Sequence, residues 1–344
     1  MLNQTKKILH CTMITGILSL NTFHSVQAQK ITFGYLPVTG HAKIFIAKEE
    51  GYFKSEGLDV TLVEFANSAD GLSALRAGKL DVGAFGTTAP LVHISKGAEL
   101  SIIGGIMGED AAIITTAENA AKIKSVANLK GKKIATVRLA TGDAVLRGAL
   151  DANGIDWKKD ITLFELKNPP AVIEAIKSNQ VDAGVIWGPY DITAENQGLK
   201  VVIRTKDLAP GHPCCRVTVQ KKSLNDSEKW TALIRALLRA EKFSKENKNK
   251  TIEHISKYVK LDKSILEKAF YSPNLDQSSD PNVKGVNDFW KTMVANGFVE
   301  SDLKIHNFIN VDLYSSALDS LSKANPKEEY WQKLINEFKE RNRL

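Results

Sequence analysis

Three cysteines in 344 residues leave little to cross-link. Cys11 stands at the start of an apolar stretch near the N-terminus, and Cys214 and Cys215 are neighbours. No distant pair exists to staple, so a disulfide framework is excluded. A membrane span is lacking too: the mostly apolar stretch Ile8–Leu20 covers about 13 residues, short of the roughly 20 that a transmembrane helix needs. No Gly-rich phosphate loop, zinc-protease helix or nucleophile-elbow motif occurs, which removes the sequence signatures of several enzyme classes. The basic runs 242–250 and 333–343 carry none of the interleaved aromatics of a nucleic-acid groove and read as solvated helix faces. What remains is a globular composition, 43% hydrophobic and 25% charged. The length suggests about two domains, with enough core to stay folded without disulfide, metal or cofactor.

The N-terminus follows its own pattern. Lys6 and Lys7 form a basic start, Ile8–Leu20 an apolar middle, and Val26-Gln27-Ala28 offers small residues at the −3 and −1 positions of a cleavage site. That order predicts a secretory leader over residues 1–28 and a mature protein starting near Gln29. Its loss takes two lysines and no acid, lowering the formal charge from +7 to +5. The expected location is the periplasm.

From Ile31 onward the chain alternates. Ile31–Tyr35, Leu58–Phe65 and Leu80–Phe85 read as strands, with helices between them from His41 to about Glu50 and from an Asn67-Ser68 cap through Ala77. The order returns about a hundred residues later. Lys133–Val137, Thr162–Leu166 and Val181–Trp187 are strands, and 144–152 and 171–178 are helices. Strand-helix alternation argues an α/β class with mostly parallel sheets. Part of the echo is close: Ala74–Gly83 aligns with Ala175–Gly184, and Thr39-Gly40 with Thr141-Gly142 at nearly the same offset. Two lobes of like topology follow. Beyond Cys215 the spacing turns helical, ending in a stripe of Tyr330, Trp331, Leu334, Ile335 and Phe338 that packs against a lobe.

In open α/β sheets ligands bind beyond the carboxyl ends of the strands, where helix N-termini carry unpaired N–H groups and partial positive charge. Three places meet that description: Val38-Thr39-Gly40-His41, Gly86-Thr87-Thr88 and Ala140-Thr141-Gly142-Asp143. Threonine hydroxyls donate or accept, and glycine admits close backbone approach. Asn67 joins these candidates, and Trp187, Tyr190 and Tyr35 are candidate walls, Trp187 and Tyr35 standing at strand ends. These readings predict a central cleft that takes a small polar or anionic ligand.

These residues resemble a family. The start of the fold through Glu49–Val60, then 75–83, 129–134 and Val181-Asp182-Ala183 followed by Trp187 and Pro189, is similar to solute-binding proteins of the nitrate, sulfonate and taurine type, which include thiamine-pyrimidine binders. The resemblance implies a type II periplasmic binding protein fold, with two α/β lobes, a central ligand cleft and a helical C-terminal region. Lobe 1 would take residues 29–112 and be completed by 208–344, and lobe 2 would be residues 113–207. It further implies a monomer that hands its ligand to an inner-membrane ABC permease and its ATPase, with no catalytic residue and no nucleic-acid partner. Many relatives carry Trp-Glu-Pro where this chain has Trp187-Gly188-Pro189, which counts against a ligand whose amine needs that carboxylate. Two alternatives stay open: a periplasmic ligand sensor, and an enzyme resembling the thiamine-pyrimidine synthase that would use His212-Pro213-Cys214-Cys215.

Cys214 and Cys215 also count among the ligand-site candidates, and their chemistry has three readings. They are two buried thiols, a metal or soft-ligand site shared with His212, or a vicinal disulfide. An oxidising compartment favours the last.

Overall fold

A computed structural model of the chain describes residues 28–343. The body of the expected leader, 1–27, lies outside the described residues. Eleven strands form two sheets among the described residues: β1 Gln29–Tyr35, β2 Leu58–Glu64, β3 Val82–Gly86, β4 Leu100–Glu109, β5 Ala111–Thr115, β6 Lys133–Val137, β7 Thr162–Leu166, β8 Ala183–Trp187, β9 Lys200–Arg204, β10 Pro213–Gln220 and β11 Leu275–Asp276. The first sheet has the order β11-β4-β10-β3-β1-β2 and the second β7-β6-β8-β5-β9.

The internal echo is structural and its period is 101 residues. Strand β1 pairs in parallel with β3 through Phe33↔Val82 and Gly34↔Gly83, and β6 pairs with β8 through Ile134↔Ala183 and Ala135↔Gly184. The same aspartate fastens each pair. Asp81 Oδ2 accepts from Thr32 N at 2.7 Å, and Asp182 Oδ2 accepts from Lys133 N at 2.8 Å. The same asparagine caps the following unit. Asn67 Oδ1 accepts from Asp70 N at 2.8 Å, starting the helix Ser68–Arg76, and Asn168 Oδ1 accepts from Ala171 N at 3.0 Å, starting Pro169–Lys177. Capping of this kind satisfies an otherwise unpaired helix N–H and contributes about 1 kcal/mol.

The fourth strand of each sheet runs antiparallel and arrives from the other side of the molecule. In the second sheet it is β5, which follows directly from β4 of the first; in the first sheet it is β10, which follows β9 of the second. The chain therefore crosses twice, between Glu109 and Ala111 and between Arg204 and Pro213. The crossings lie side by side. Glu109 N donates to His212 O at 3.1 Å, and Gly211 N donates to Glu109 Oε1 at 2.8 Å. Glu109 and Asp110 both take positive φ (59° and 75°), a left-handed backbone that non-glycine residues adopt at some cost.

Each sheet buries both faces. One face of the first packs on the helices Ala42–Glu49, Ser227–Glu246 and Asp312–Ala324, with Trp331 and Leu334 of the last helix, Glu329–Arg341, closing that core. The other face packs on Ser68–Arg76, Thr88–Ser95 and Val283–Ala295. Ala144 and Val145 of the helix Thr141–Ala152 enter this second core, so the two sheets share a packed boundary.

Candidate functional site

At that boundary the carboxyl ends of β3 and β6 and the starts of the helices that follow them meet. The helix Thr88–Ser95 begins straight after β3, and the helix Thr141–Ala152 three residues after β6. Neither N-terminus is capped by a side chain among the described residues. The two buried helix starts come close together because Gly86 lets them approach. A Cβ on Gly86 would stand 3.1 Å from Ser68 Oγ and 3.3 Å from Thr141 Oγ1. Gly86 N donates to Ser68 Oγ at 2.9 Å, which holds the end of β3 against the Asn67-capped helix.

One acceptor joins the sheets. The Cys214 carbonyl takes hydrogen bonds from Thr87 N at 2.7 Å, Thr87 Oγ1 at 3.1 Å and Thr141 Oγ1 at 2.6 Å. The third donor opens the helix that follows β6 of the second sheet. Around this contact lies a cavity of about 20 Å³, lined by Leu36, Val38, Ser68, Gly86, Met107, Cys214 and Cys215 on one side and Ala140, Thr141 and Trp187 on the other. That volume holds about one water molecule. No charged side chain lines it. The larger hollows lie elsewhere: an open groove of about 640 Å³ runs between the helices Thr141–Ala152 and Val283–Ala295, and another of about 410 Å³ runs beside Asp191 and Lys248. Neither contains a Thr-Gly turn.

Thus Gly86, Thr141, Trp187, Cys214 and Cys215 share one cavity, with Thr87 fixed to the Cys214 carbonyl beside it. The other residues singled out in the sequence take different surroundings. Thr39, Gly40 and His41 form a buried 3₁₀ turn ahead of the helix Ala42–Glu49. His41 Nδ1 accepts from Leu36 N at 3.2 Å, so its proton is on Nε2. Burial, helped by Lys43, pushes its pKa down to about 3, and the ring is neutral. A Cβ on Gly40 would collide with Met107 Sδ. The Asn67 side chain is engaged by its helix cap. The Thr88 and Thr39 hydroxyls are buried with no partner among the described residues. Gly142 packs on Val185 and Ala111 of the second sheet, where a Cβ would stand 2.7 Å from Val185 Cγ1. Asp143 is turned away and paired in a fork with Arg147 at 2.9 and 3.0 Å, over the rings of Trp157 and Phe298. Tyr190 is half-buried against both sheets' cores, and Tyr35 is buried in the first sheet's core, edge-on to Phe45.

Cys214 and Cys215 are free thiols, with Cys215 Sγ donating to Cys214 Sγ at 4.0 Å; the expected vicinal disulfide is not formed in this structure. His212 does not join them in a metal site. Its Nδ1 lies 2.7 Å from Ala209 O, and no cluster of three or more His, Cys, Asp or Glu suited to a metal occurs among the described residues.

Residues that the sequence reading passed over complete the site. Leu36 and Met107 are cavity walls beside Val38 and Ala140, which open two of the turns read from the sequence, and an apolar residue in a turn or a buried strand carries no sequence signal of such a role. Asp110 stands at the crossing, buried, with a pKa raised well above the carboxylate range by burial and by Asp191. Gly188 faces it closely: a Cβ there would lie 3.0 Å from both Asp110 carboxyl oxygens.

Comparison with known proteins agrees with this architecture. A binding protein of Brucella abortus (strain 2308) is 30% identical over 226 residues, covering 64% of this chain and 69% of its own. The aliphatic sulfonates-binding protein of Escherichia coli K12 is 32% identical over 195 residues, covering 54% and 58%. The crystal structure of the periplasmic nitrate-binding protein NrtA of Synechocystis PCC 6803 superposes with a TM-score of 0.76, covering 89% of this chain and 91% of NrtA; at 16% identity it shows the fold, that of periplasmic binding proteins. The description of the NMT1-like family matches residues 25–259, and the chain belongs to that family.

Proposed function

We propose that the chain is the solute-binding component of an ABC importer, which captures a small polar or anionic organic ligand between its two lobes and delivers it to a membrane permease. The observation that carries this reading is the meeting of two uncapped helix starts from opposite sheets, bridged by the Thr141–Cys214 hydrogen bond. Each such N-terminus presents unpaired N–H groups and about half a positive charge, which favours anions and polar acceptors without a charged side chain. The names of the sulfonate- and nitrate-binding relatives support the same class of ligand. In this reading Thr87, Thr88 and Thr141 offer hydroxyls, Gly86 offers backbone, and Trp187 with Cys214 and Cys215 forms the walls, while Thr39, Gly40, His41, Asn67, Gly142, Asp143 and Tyr190 support the site from the packing around it. Lobe 1 comprises 29–112 with 208–344, and lobe 2 residues 113–207. The protein acts in the periplasm as a monomer after cleavage near Ala28.

Thermal-shift measurement of the purified protein against nitrate, alkanesulfonates, taurine, small carboxylates and pyrimidines tests the reading. A cognate ligand at a hundred times its Kd stabilises by about 2.7 kcal/mol. Thr141→Phe, which fills the boundary, is expected to abolish that shift while leaving the fold intact by circular dichroism. An unchanged Kd in that variant overturns the site.

A further inference from the structure

Successive residues of a strand normally point to opposite faces, yet Cys214 and Cys215 line the same cavity. The cause is local. The register of β10 against β4 shifts between Pro213 and Cys215 and again between Cys215 and Arg216. Irregularities of this kind re-aim side chains and recur beside functional sites. Met107 is the β4 partner of Cys215, and it lines the cavity too. Three sulfur-bearing residues from two neighbouring strands therefore line one space of about 20 Å³, with Thr141, at the start of the helix after β6, lining it too. Arg216 turns aside, its Nη1 donating to the Met107 and Cys215 carbonyls at 3.2 and 2.8 Å. Both thiols are nearly inaccessible, at 9% and 4% exposure. Its hydrogen bond with Cys215, together with burial, raises the pKa of the Cys214 thiol well above its ordinary value, which favours the protonated form of Cys214.

We propose that Cys214, Cys215 and Met107 form a thiophilic site that takes a small soft electrophilic centre with exchangeable oxygen ligands, of which trivalent arsenic as arsenous acid is the representative. The reaction suits two neighbouring thiols in a space that no charged side chain lines. Arsenous acid and two thiols condense to a dithioarsenite that keeps one hydroxyl, releasing two waters. Two S–H and two As–O bonds break, two As–S and two O–H bonds form, and no atom changes oxidation state. No charge is left in the cavity, whereas a metal held by two thiolates would require both protons to leave for solvent. The Met107 thioether has no proton to exchange and serves as a soft neighbour. The site lies beside the Cys214 carbonyl that Thr141 holds, so occupation bears on the contact between the sheets.

The test uses the full chain with Cys11→Ser, reduced, and sodium arsenite as probe. One arsenic is expected to survive desalting and to remove two titratable thiols. X-ray absorption at the arsenic edge is expected to show two sulfur neighbours and one oxygen, with a rise in Tm. Cys214→Ser and Cys215→Ser are each expected to weaken binding about 10²- to 10⁴-fold, the loss that follows when the second of two linked attachments is removed. Met107→Leu, which keeps the volume, is expected to weaken it several-fold. An all-oxygen shell, or no retained arsenic, overturns the proposal. Equal affinity for the urea-unfolded chain also overturns it, because adjacency in sequence would then account for the reaction without the site. Ligand shifts with sulfonates or nitrate are read separately, so either result stands without the other.

Discussion

The two Thr-Gly turns begin alike and end differently. Thr141-Gly142-Asp143 opens a twelve-residue helix, and its threonine reaches across to the Cys214 carbonyl. Thr39-Gly40-His41 makes only a 3₁₀ turn, and its threonine hydroxyl is buried with no partner among the described residues. The third residues differ as much. Asp143 shares its buried charge with Arg147, whereas His41 stays neutral and accepts a single backbone hydrogen bond. Sequence repetition has preserved the frame and released the tips, so one turn reaches across the sheet boundary and the other is packed beside its own sheet.

Four experiments sharpen or break that contrast. Arg147→Met should cost most, about 3–5 kcal/mol in urea unfolding, because it strands the Asp143 carboxylate in an interior site. A loss under 1 kcal/mol would show that the pair is not what fastens this turn. The His41 turn should instead respond to acid. The unfolded ring takes a proton near pH 6.5 and the folded ring only near pH 3. The unfolded state therefore gains protons first, and stability contributed by the neutral ring is lost as the pH falls from 6.5 towards 3, reaching about 2 kcal/mol at pH 5. His41→Gln should flatten that part of the profile, and an unchanged slope between pH 6.5 and 4 would contradict the assignment. Thr141→Val removes the donor across the boundary and should destabilise by about 1 kcal/mol. Thr39→Val should have the smallest effect, within about 0.5 kcal/mol or slightly stabilising, since it replaces an unpartnered hydroxyl by a methyl. Equal losses in these two variants would erase the difference between the turns.

Much of the frame is written locally. The Asp81/Asp182 and Asn67/Asn168 pairs, one at the entry to a strand and the other at a helix start, are short-range signals at a fixed spacing, and they mark the repeated unit on their own. The C-terminal helices were legible for the same reason, through periodic apolar faces such as Trp331 and Leu334. The stretch Leu100–Thr115 was not. Its strands are buried nearly throughout, so no alternation marks them, and the crossing at Glu109-Asp110 depends on two left-handed residues that are not glycine. At the candidate site, strand ends and helix starts pointed to Gly86, Thr141 and Trp187. They could not tell that His41 would face its own core, nor that Asp143 would turn to Arg147. Those outcomes depend on partners such as Leu36, Met107 and Phe298, distant in sequence or silent in type.

The position of β10 reaches beyond ligand capture, to the order in which the molecule can assemble. It lies between β3 and β4, so until residues 213–220 arrive the first sheet exists as two fragments with open edges. The second sheet suffers no such delay, since β5 to β9 are contiguous in the chain. Pairings across such long sequence separations close late and slowly, and unpaired edges invite association with other chains. A nascent or refolding molecule is therefore expected to complete its second sheet first, and the first sheet keeps open edges until one eight-residue strand carrying both cysteines joins its two parts.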